Sequence, residues 1–120
     1  MAHVAVIGSR NFTDYVFLTQ VLERHSPTLI VSGGAKGADA LAQRYANEKG
    51  LETQIFKPDW KQFGRGAGVI RNRQIVENSD YVIAFWDGQS RGTKSSIDYA
   101  RKLNKVVHIE IYLTKDNSGV

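Results

Sequence analysis

Three short apolar runs in this chain each lead into a glycine-containing turn, and each turn is followed by a segment with helical periodicity. The runs cover residues 4–7, 29–31 and 81–85 and are rich in β-branched and aromatic side chains. Short strands that alternate with amphipathic helices are typical of right-handed βαβ units, which build parallel sheets. The pattern therefore indicates an α/β fold in which all three turns lie at the carboxyl edge of one sheet.

The remainder of the chain extends this alternation to five strands and four helices. We predict strands at residues 3–7, 28–31, 53–56, 81–85 and 106–111, and helices at residues 14–25, 37–49, 69–78 and 94–104. A loop is predicted at residues 57–68. The expected fold is one three-layer α/β domain over residues 1–112, with a five-stranded, mostly parallel sheet of order 3-2-1-4-5. Residues 113–120 are polar and are expected to form a flexible tail.

The composition excludes several classes of protein and leaves others open. The chain has no cysteine, which excludes disulfides, thiolate metal sites and cysteine nucleophiles. It has no apolar run of about 20 residues, so a membrane partner is not expected, and a cytoplasmic location fits best. The formal charge of +4 is compatible with nucleotides, nucleic acid or other acidic ligands. The histidines have no ligand spacing, so we expect neither a metal ion nor a cofactor.

The three turns carry groups that bind anions. Helix N-termini present free N–H groups and partial positive charge, and glycine lets a ligand approach the backbone closely. Serine and threonine hydroxyls add further hydrogen-bond donors. The candidate ligand-binding residues in these turns are Gly8, Ser9, Arg10, Ser32, Gly33, Gly34, Gly37, Asp39, Trp86, Asp87, Ser90, Gly92 and Thr93. The turns together therefore predict a phosphate-binding site.

Two known phosphate-binding motifs match these turns poorly. The second turn reads Ser32-x-Gly34-x-x-Gly37, so serine replaces the first glycine of the dinucleotide-binding fingerprint. The third turn has glycines at 88 and 92, one residue too close for a Walker A loop, and Thr93 takes the place of the lysine. A general phosphate cradle remains the interpretation. The alternative is that the glycines only permit tight turns between strands and helices.

Arginines and aromatic residues outside the turns are further candidates. Arg71 and Arg73 are two residues apart at the start of the third predicted helix, so at most one of them is expected to face the site. An arginine that does so would bind a phosphate with two parallel hydrogen bonds. Trp60 and Phe63 in the predicted loop, and Trp86 after the fourth strand, either stack on a base or pack the domain.

Four motifs follow one another in the chain, and each has the expected strand context. They are Gly8-Ser9-Arg10, Ser32-Gly33-Gly34-Ala35-x-Gly37-Ala38-Asp39, Arg71-Asn72 and Asp87-Gly88-x-Ser90-x-Gly92-Thr93. Together they resemble the YspA/YpsA-related branch of the SLOG superfamily, whose relatives include the LOG phosphoribohydrolases and DNA-processing protein A. The resemblance covers about residues 4–109. It implies a Rossmann-like sheet that binds nucleotides or nucleotide-derived ligands, and it adds Asn72 to the candidate residues.

The resemblance also bears on catalysis. In LOG enzymes an arginine and a glutamate cleave an N-glycosidic bond, and their positions match Arg71 and Ser96 of this chain. Serine cannot stabilise an oxocarbenium-like transition state or activate water as a carboxylate does. Asp39 and Asp98 are the nearby carboxylates that could substitute. Arg71, Asp98 and Asp39 are therefore the catalytic candidates, and hydrolase activity is doubtful.

These observations give one leading hypothesis and two alternatives. The leading hypothesis is a sensor or sequestering protein that binds a nucleotide-derived small molecule. The first alternative is a nucleoside 5′-monophosphate phosphoribohydrolase. The second is a protein that binds single-stranded nucleic acid, which the basic charge and the loop aromatics favour. The resemblance to LOG proteins also raises the prospect of a homo-oligomer.

Overall fold

Five parallel strands form a single sheet in the order β3-β2-β1-β4-β5 in the computed structural model, which describes residues 2–112. The strands are β1 (His3–Gly8), β2 (Leu29–Ser32), β3 (Glu52–Ile55), β4 (Tyr81–Trp86) and β5 (Val107–Ile111). All four neighbouring pairs are parallel. The predicted strand order is confirmed, and the sheet is parallel throughout its described strands.

The helices connect successive strands. They are α1 (Tyr15–His25), α2 (Ala38–Lys49), α3 (Trp60–Phe63), α4 (Ala67–Glu77) and α5 (Arg91–Lys102), with one 3-10 turn at Gly64–Gly66 before α4. The segment predicted as a loop thus contains α3, which begins because Asp59 caps it: Asp59 Oδ1 accepts a hydrogen bond from Gln62 N at 3.1 Å. None of the four residues of α3 is buried, so hydrophobic periodicity gave no sign of it.

Two helix starts differ from the prediction by two or more residues, and both differences affect the carboxyl edge of the sheet. Helix α5 begins at Arg91 rather than at residue 94, so Gly92 and Thr93 belong to its first turn. Helix α4 begins at Ala67 rather than at residue 69, so Arg71 lies in its second turn and not at its start. Glycine and serine are poor helix formers, which is why the pattern of apolar residues placed both starts too late.

Side chains of the central strands are buried on both faces of the sheet. On one face, Val4, Val6 and Phe85 pack with α1 and α2 in one apolar cluster. On the other face, Ala5 and Ile7 pack with α4 and α5 in a second cluster. Successive residues of a strand point to opposite faces, so a continuous apolar run such as that in β1 needs helices on both sides. The predicted three-layer arrangement is therefore confirmed.

The turn after β1 is fixed by aromatic packing and by close backbone contacts. Phe12 is buried and stacks on Phe85 with ring centroids 4.9 Å apart. Ala38 N, at the start of α2, donates a hydrogen bond to Ser9 O at 3.3 Å. This approach requires glycine at position 8, because a Cβ there would lie only 2.6 Å from Ala38 Cβ. The start of α2 and the end of β1 are thus held together at the carboxyl edge.

No helix among the described residues is long and apolar enough to cross a membrane. The tail predicted at residues 113–120 lies outside the part of the chain that the structure describes.

Candidate functional site

A cleft of about 460 Å³ opens at the carboxyl edge of the sheet, where β1 separates the β2 and β4 sides. This is the position at which open parallel sheets bind ligands. Ten of the residues predicted from the sequence line it: Gly8, Ser9, Arg10, Asp39, Arg71, Asn72, Asp87, Ser90, Gly92 and Thr93. The first and third turns therefore meet in one cavity.

The N-terminus of α5 forms one wall of the cleft. The first-turn N–H groups of Arg91, Gly92 and Thr93 have no acceptor within the helix, as in any α-helix. The N-cap residue Ser90 does not satisfy them, because its side chain makes no cap hydrogen bond. Its hydroxyl instead lies 3.2 Å from Thr93 Oγ1. This wall therefore presents unused donors and the positive end of the helix dipole to the cleft.

Arg71 enters the cleft from α4 in a fixed orientation. Its Nε donates to Asn72 Oδ1 at 2.8 Å, and its Nη1 donates to Gly33 O at 2.9 Å. Burial lowers the pKa of the Arg71 guanidinium; the Asp39 carboxylate opposes this shift, and the charge of Arg10 adds to it. An arginine nevertheless stays protonated in proteins. Within the described residues Nη2 makes no hydrogen bond, so one edge of the guanidinium is free for a ligand.

Arg10 supplies the second cationic side chain of the cleft. It is the second residue after β1, and it is exposed. Its guanidinium has no salt-bridge partner among residues 2–112. Arg73, in contrast, lies over the ring of Tyr99, 5.2 Å from the ring centroid, and does not line the cleft. Only one arginine of α4 faces the site, as the helical spacing predicts.

Asp39 is the buried carboxylate of the cleft. It is 8% exposed, and its Oδ2 accepts a hydrogen bond from Ala35 N at 3.1 Å. Burial raises its pKa above the ordinary aspartate value, although the hydrogen bond from Ala35 and the charge of Arg71 work against the shift. This hydrogen bond closes the turn before α2, as we expect for a carboxylate at a helix start.

Asp87 organises the turn before α5. Its Oδ1 accepts hydrogen bonds from Gln89 N at 2.9 Å and from Ser90 N at 2.8 Å. Burial raises the pKa of this carboxyl, but the two backbone donors, assisted by Ser9, outweigh it, and the resulting pKa is lowered. The Ser9 hydroxyl itself is buried and has no hydrogen-bond partner among the described residues. A buried donor of this kind is uncommon in proteins.

Five predicted residues lie behind the cleft and do not line it. Gly33 supports Arg71, and a Cβ on it would lie 2.6 Å from Arg71 Nη1. Gly37 packs on the backbone of the β1 turn, and Gly34 faces Ile55. Ser32 is fully buried, and Trp86 Nε1 donates to Ser90 O at 3.1 Å. The second turn thus supports the cleft, and only Ala35 and Asp39 of this region reach it.

The carboxylates proposed for catalysis occupy different environments. Ser96, at the position of the LOG glutamate, lines the cleft, but its hydroxyl already donates to Gly92 O at 3.2 Å. Asp98 lies outside the cleft and is exposed, and it pairs with Lys94 Nζ at 2.8 Å. Asp39 is therefore the one of the two candidate carboxylates that faces the cavity. No group of three or more histidine, aspartate or glutamate side chains in residues 2–112 is arranged to hold a metal ion.

Four further lining residues were absent from the predicted site. They are Ile7, at the end of β1, together with Asn11, Ala35 and Ile75. Asn11 and Ala35 belong to turns that the sequence had singled out, so their neighbours could have indicated them. Ile75 lies four residues after Arg71 on α4, which places it on the same face of the helix. The helical spacing from Arg71 would have found it.

Comparison with known proteins gives consistent results. Residues 2–63 match the model of the YspA, cpYpsA-related SLOG family. The chain is 35% identical to the Gene 61 protein of Mycobacterium phage D29, over 85% of this chain and 90% of that protein. It superposes on DNA processing protein A of Streptococcus pneumoniae with a TM-score of 0.80 and 21% identity, over 97% of this chain. That likeness shows the fold, and the chain spans 52% of the S. pneumoniae protein.

DNA processing protein A of Helicobacter pylori is also similar, with a TM-score of 0.72 and 25% identity over 96% of this chain and 67% of that one. The sequence match begins with β1 and includes the first two turns that build the carboxyl edge. The chain therefore belongs to the YspA, cpYpsA-related SLOG family.

Proposed function

We propose that this protein binds a nucleotide or a nucleotide-derived phosphorylated ligand in the cleft at the carboxyl edge. One observation carries the proposal: the unused N–H groups at the start of α5 and the pre-oriented guanidinium of Arg71 line the same cavity. The helix N–H groups and Arg71 Nη2 are donors without an acceptor among the described residues, and both the helix N-terminus and the guanidinium carry positive charge. An anion with several oxygen atoms satisfies them together.

The arrangement of donors indicates how a phosphate would bind. The N–H groups of Gly92 and Thr93 would donate to one pair of phosphate oxygens, and Thr93 Oγ1 would donate to the same group. Arg71 would approach from the opposite wall through Nη2. Arg10, which is exposed at the mouth, would add long-range attraction for the anion. Asp39 and Asp87 would repel a second phosphate, so hydroxyl or amino groups of the ligand suit the space next to them better.

A binding role fits this chemistry better than catalysis does. Ser96 provides no carboxylate, and Asp39 is engaged in closing the α2 turn. The protein would therefore act as a sensor for the ligand or would sequester it, with the ligand as its principal partner. We place it in the cytoplasm, where nucleotides are abundant.

Calorimetry and thermal-shift measurements with mono-, di- and cyclic nucleotides test the proposal, because a ligand that binds the folded state raises the melting temperature. Gly92→Asp should abolish binding, since its carboxylate would occupy the anion position. Gly92→Ala is the matched control, and a Cβ there has no atom within 4 Å. Equal affinity in Gly92→Asp and in the wild type would refute the assignment.

Asp39 favours one enzymatic alternative, a nucleoside 5′-monophosphate phosphoribohydrolase. Its carboxylate faces the cleft that Arg71 also lines, and burial raises its pKa. The test is release of ribose 5-phosphate from nucleoside monophosphates. The alternative requires that Asp39→Asn abolish the activity and that Asp98→Asn retain it, because Asp98 lies outside the cleft. Absence of product with the wild type would eliminate it.

Likeness to DNA processing protein A favours a second alternative, binding of single-stranded DNA. The H. pylori protein binds single-stranded DNA. Trp60 and Phe63 of this chain are exposed and would offer stacking surfaces. Affinity for an oligonucleotide should then fall steeply as the salt concentration rises, because protein binding releases counterions that are condensed on the DNA. Binding that does not respond to salt would argue against this function.

A further inference from the structure

A second cavity, of about 320 Å³, lies beside the cleft at the carboxyl end of β3. It is bounded by β3, α3 and α4, and the residues that matter here are Ile55, Gln62, Phe63, Ile70, Arg71 and Gln74. Arg71 lines this cavity and the phosphate cleft. Its side chain therefore stands at the junction of two adjoining spaces, so a ligand held by Arg71 has room to extend into the second one.

We propose that this second cavity is a nucleobase site, and that it holds the base of the ligand whose phosphate binds at the start of α5. The proposal rests on the proposed function of the phosphate cleft. It extends that function, because residues of α3 and α4 would bind the base, which is the part of the ligand that gives specificity. Neither α3 nor the cavity beside it was recognised in the sequence, where the segment was predicted to be a loop.

The lining of the cavity matches the chemistry of a base. A nucleobase has apolar faces and a polar edge with hydrogen-bond donors and acceptors. Phe63 is 41% exposed and belongs to neither apolar cluster of the core, so its ring is available for stacking. Ile55 and Ile70 add apolar surface. The primary amides of Gln62 and Gln74 each offer a donor and an acceptor, which suits the edge of a base.

Helix α3 is built for a contact other than core packing. All four of its residues are unburied, and the helix is held by the hydrogen bond between Asp59 and Gln62 N. Trp60, in the same helix, is 58% exposed but does not line the cavity. Trp60 and Phe63 thus form a matched pair of exposed aromatic residues on one element, and only Phe63 is placed to stack on a base in the cavity.

The experiment compares adenosine 5′-monophosphate, guanosine 5′-monophosphate and ribose 5-phosphate as probes, with affinities from NMR titration of the full chain. Phe63→Ala should weaken binding of at least one nucleotide about tenfold, the amount expected for one stacked base. Ribose 5-phosphate, which has no base, should bind Phe63→Ala and the wild type equally. Trp60→Ala should leave both kinds of probe unaffected.

Gln74→Leu gives a second, independent readout. It removes a donor and an acceptor at nearly constant side-chain volume, and it should change the ratio of the two nucleotide affinities while ribose 5-phosphate stays unchanged. Nucleotide binding that is unaltered in Phe63→Ala and Gln74→Leu would overturn the base site and leave the phosphate site intact. Equal losses in Phe63→Ala and Trp60→Ala would also overturn it, in favour of an open stacking surface. If neither these three probes nor the di- and cyclic nucleotides bind the wild type, the proposed function itself fails.

Discussion

Arg71 donates from Nη1 to the backbone carbonyl oxygen of Gly33 at 2.9 Å, although 38 residues separate them in the chain. This bond ties α4 to the turn after β2, and the Arg71 guanidinium lines the cleft at the carboxyl edge. A second bond from Nε to Asn72 Oδ1 completes the orientation. If Arg71 binds a ligand as we propose, little rotamer entropy would be lost on binding, because the side chain is already fixed.

The first prediction concerns Arg71 itself. Arg71→Met keeps the apolar stem and removes the charge and the donors, and it should weaken nucleotide binding by about 10- to 100-fold in calorimetry. Arg71→Lys should recover only part of the affinity, because an ammonium group cannot bond Gly33 and a phosphate through a planar fork. Arg73→Met is the control, since Arg73 lies over Tyr99 outside the cleft. Equal losses in the Arg71 and Arg73 variants would contradict this assignment.

The second prediction separates backbone strain from crowding at two glycines. Gly37 and Gly88 have φ values of 77° and 82°, so a side chain is strained at both positions. A Cβ on Gly37 would also overlap the backbone of Ser9 and Arg10, whereas a Cβ on Gly88 meets no atom within 4 Å. Gly88→Ala should cost about 1 kcal/mol of unfolding free energy, and Gly37→Ala about 2 kcal/mol more. Urea denaturation measures both; equal losses would show that crowding is unimportant.

The third prediction concerns the C-terminus of α4. Lys105 Nζ donates to the carbonyl oxygens of Val76, Glu77 and Ser79, at 2.7, 3.1 and 2.5 Å. Lys105→Met preserves the stem but removes this donor from all three carbonyls, of which only Val76 O keeps a hydrogen bond from the Ser79 hydroxyl, and it should lower the free energy of unfolding by about 2 kcal/mol. The exposed Lys102 is the control, and Lys102→Met should change stability by less than about 0.5 kcal/mol. Thermal denaturation of both variants tests this prediction. Similar melting temperatures for the two variants would contradict the stabilising role of Lys105.

The fourth prediction uses pH to distinguish Asp39 from Asp87. Burial raises the pKa of Asp39 in the folded state. At pH values above about 4, this carboxyl therefore binds more protons in the folded protein than in the unfolded chain. The stability of the wild type relative to Asp39→Asn should therefore fall as pH rises from that value through the raised pKa. Burial tends to raise the pKa of Asp87, but backbone hydrogen bonds outweigh this and lower it. The ionised Asp87 side chain therefore stabilises the protein above the pKa that it has in the unfolded chain. This stabilisation is lost as pH falls through the lower pKa of Asp87 in the folded protein.

Denaturation of the wild type, Asp39→Asn and Asp87→Asn between pH 3 and about pH 7 tests these opposite slopes. Each variant serves as the control for the other, because both replace an aspartate of the cleft by its neutral isostere. Slopes of the same sign in the two comparisons would show that at least one of the two environments is assigned incorrectly.

The sequence was sufficient for the strand order and for many of the residues that line the cleft, because both follow from local rules. Apolar runs alternating with amphipathic helices leave few topologies, and parallel strands bring their carboxyl ends to one edge. Residues in the turns after β1 and β4, such as Ser9 and Ser90, therefore line the cleft. Helix α3 could not be predicted in this way, since it has no buried face to impose a periodicity.

The tertiary structure alone decided which members of each turn line the cavity and which support it. Gly33 and Gly92 look alike in the sequence, yet Arg71 covers Gly33 while Gly92 is open. Likewise, Asp39 and Asp98 are both carboxylates on predicted helices, but only Asp39 faces the cleft. The physical reason is that local periodicity fixes the direction of a side chain relative to its own element. What that side chain meets depends on elements distant in the chain, whose approach is set by packing.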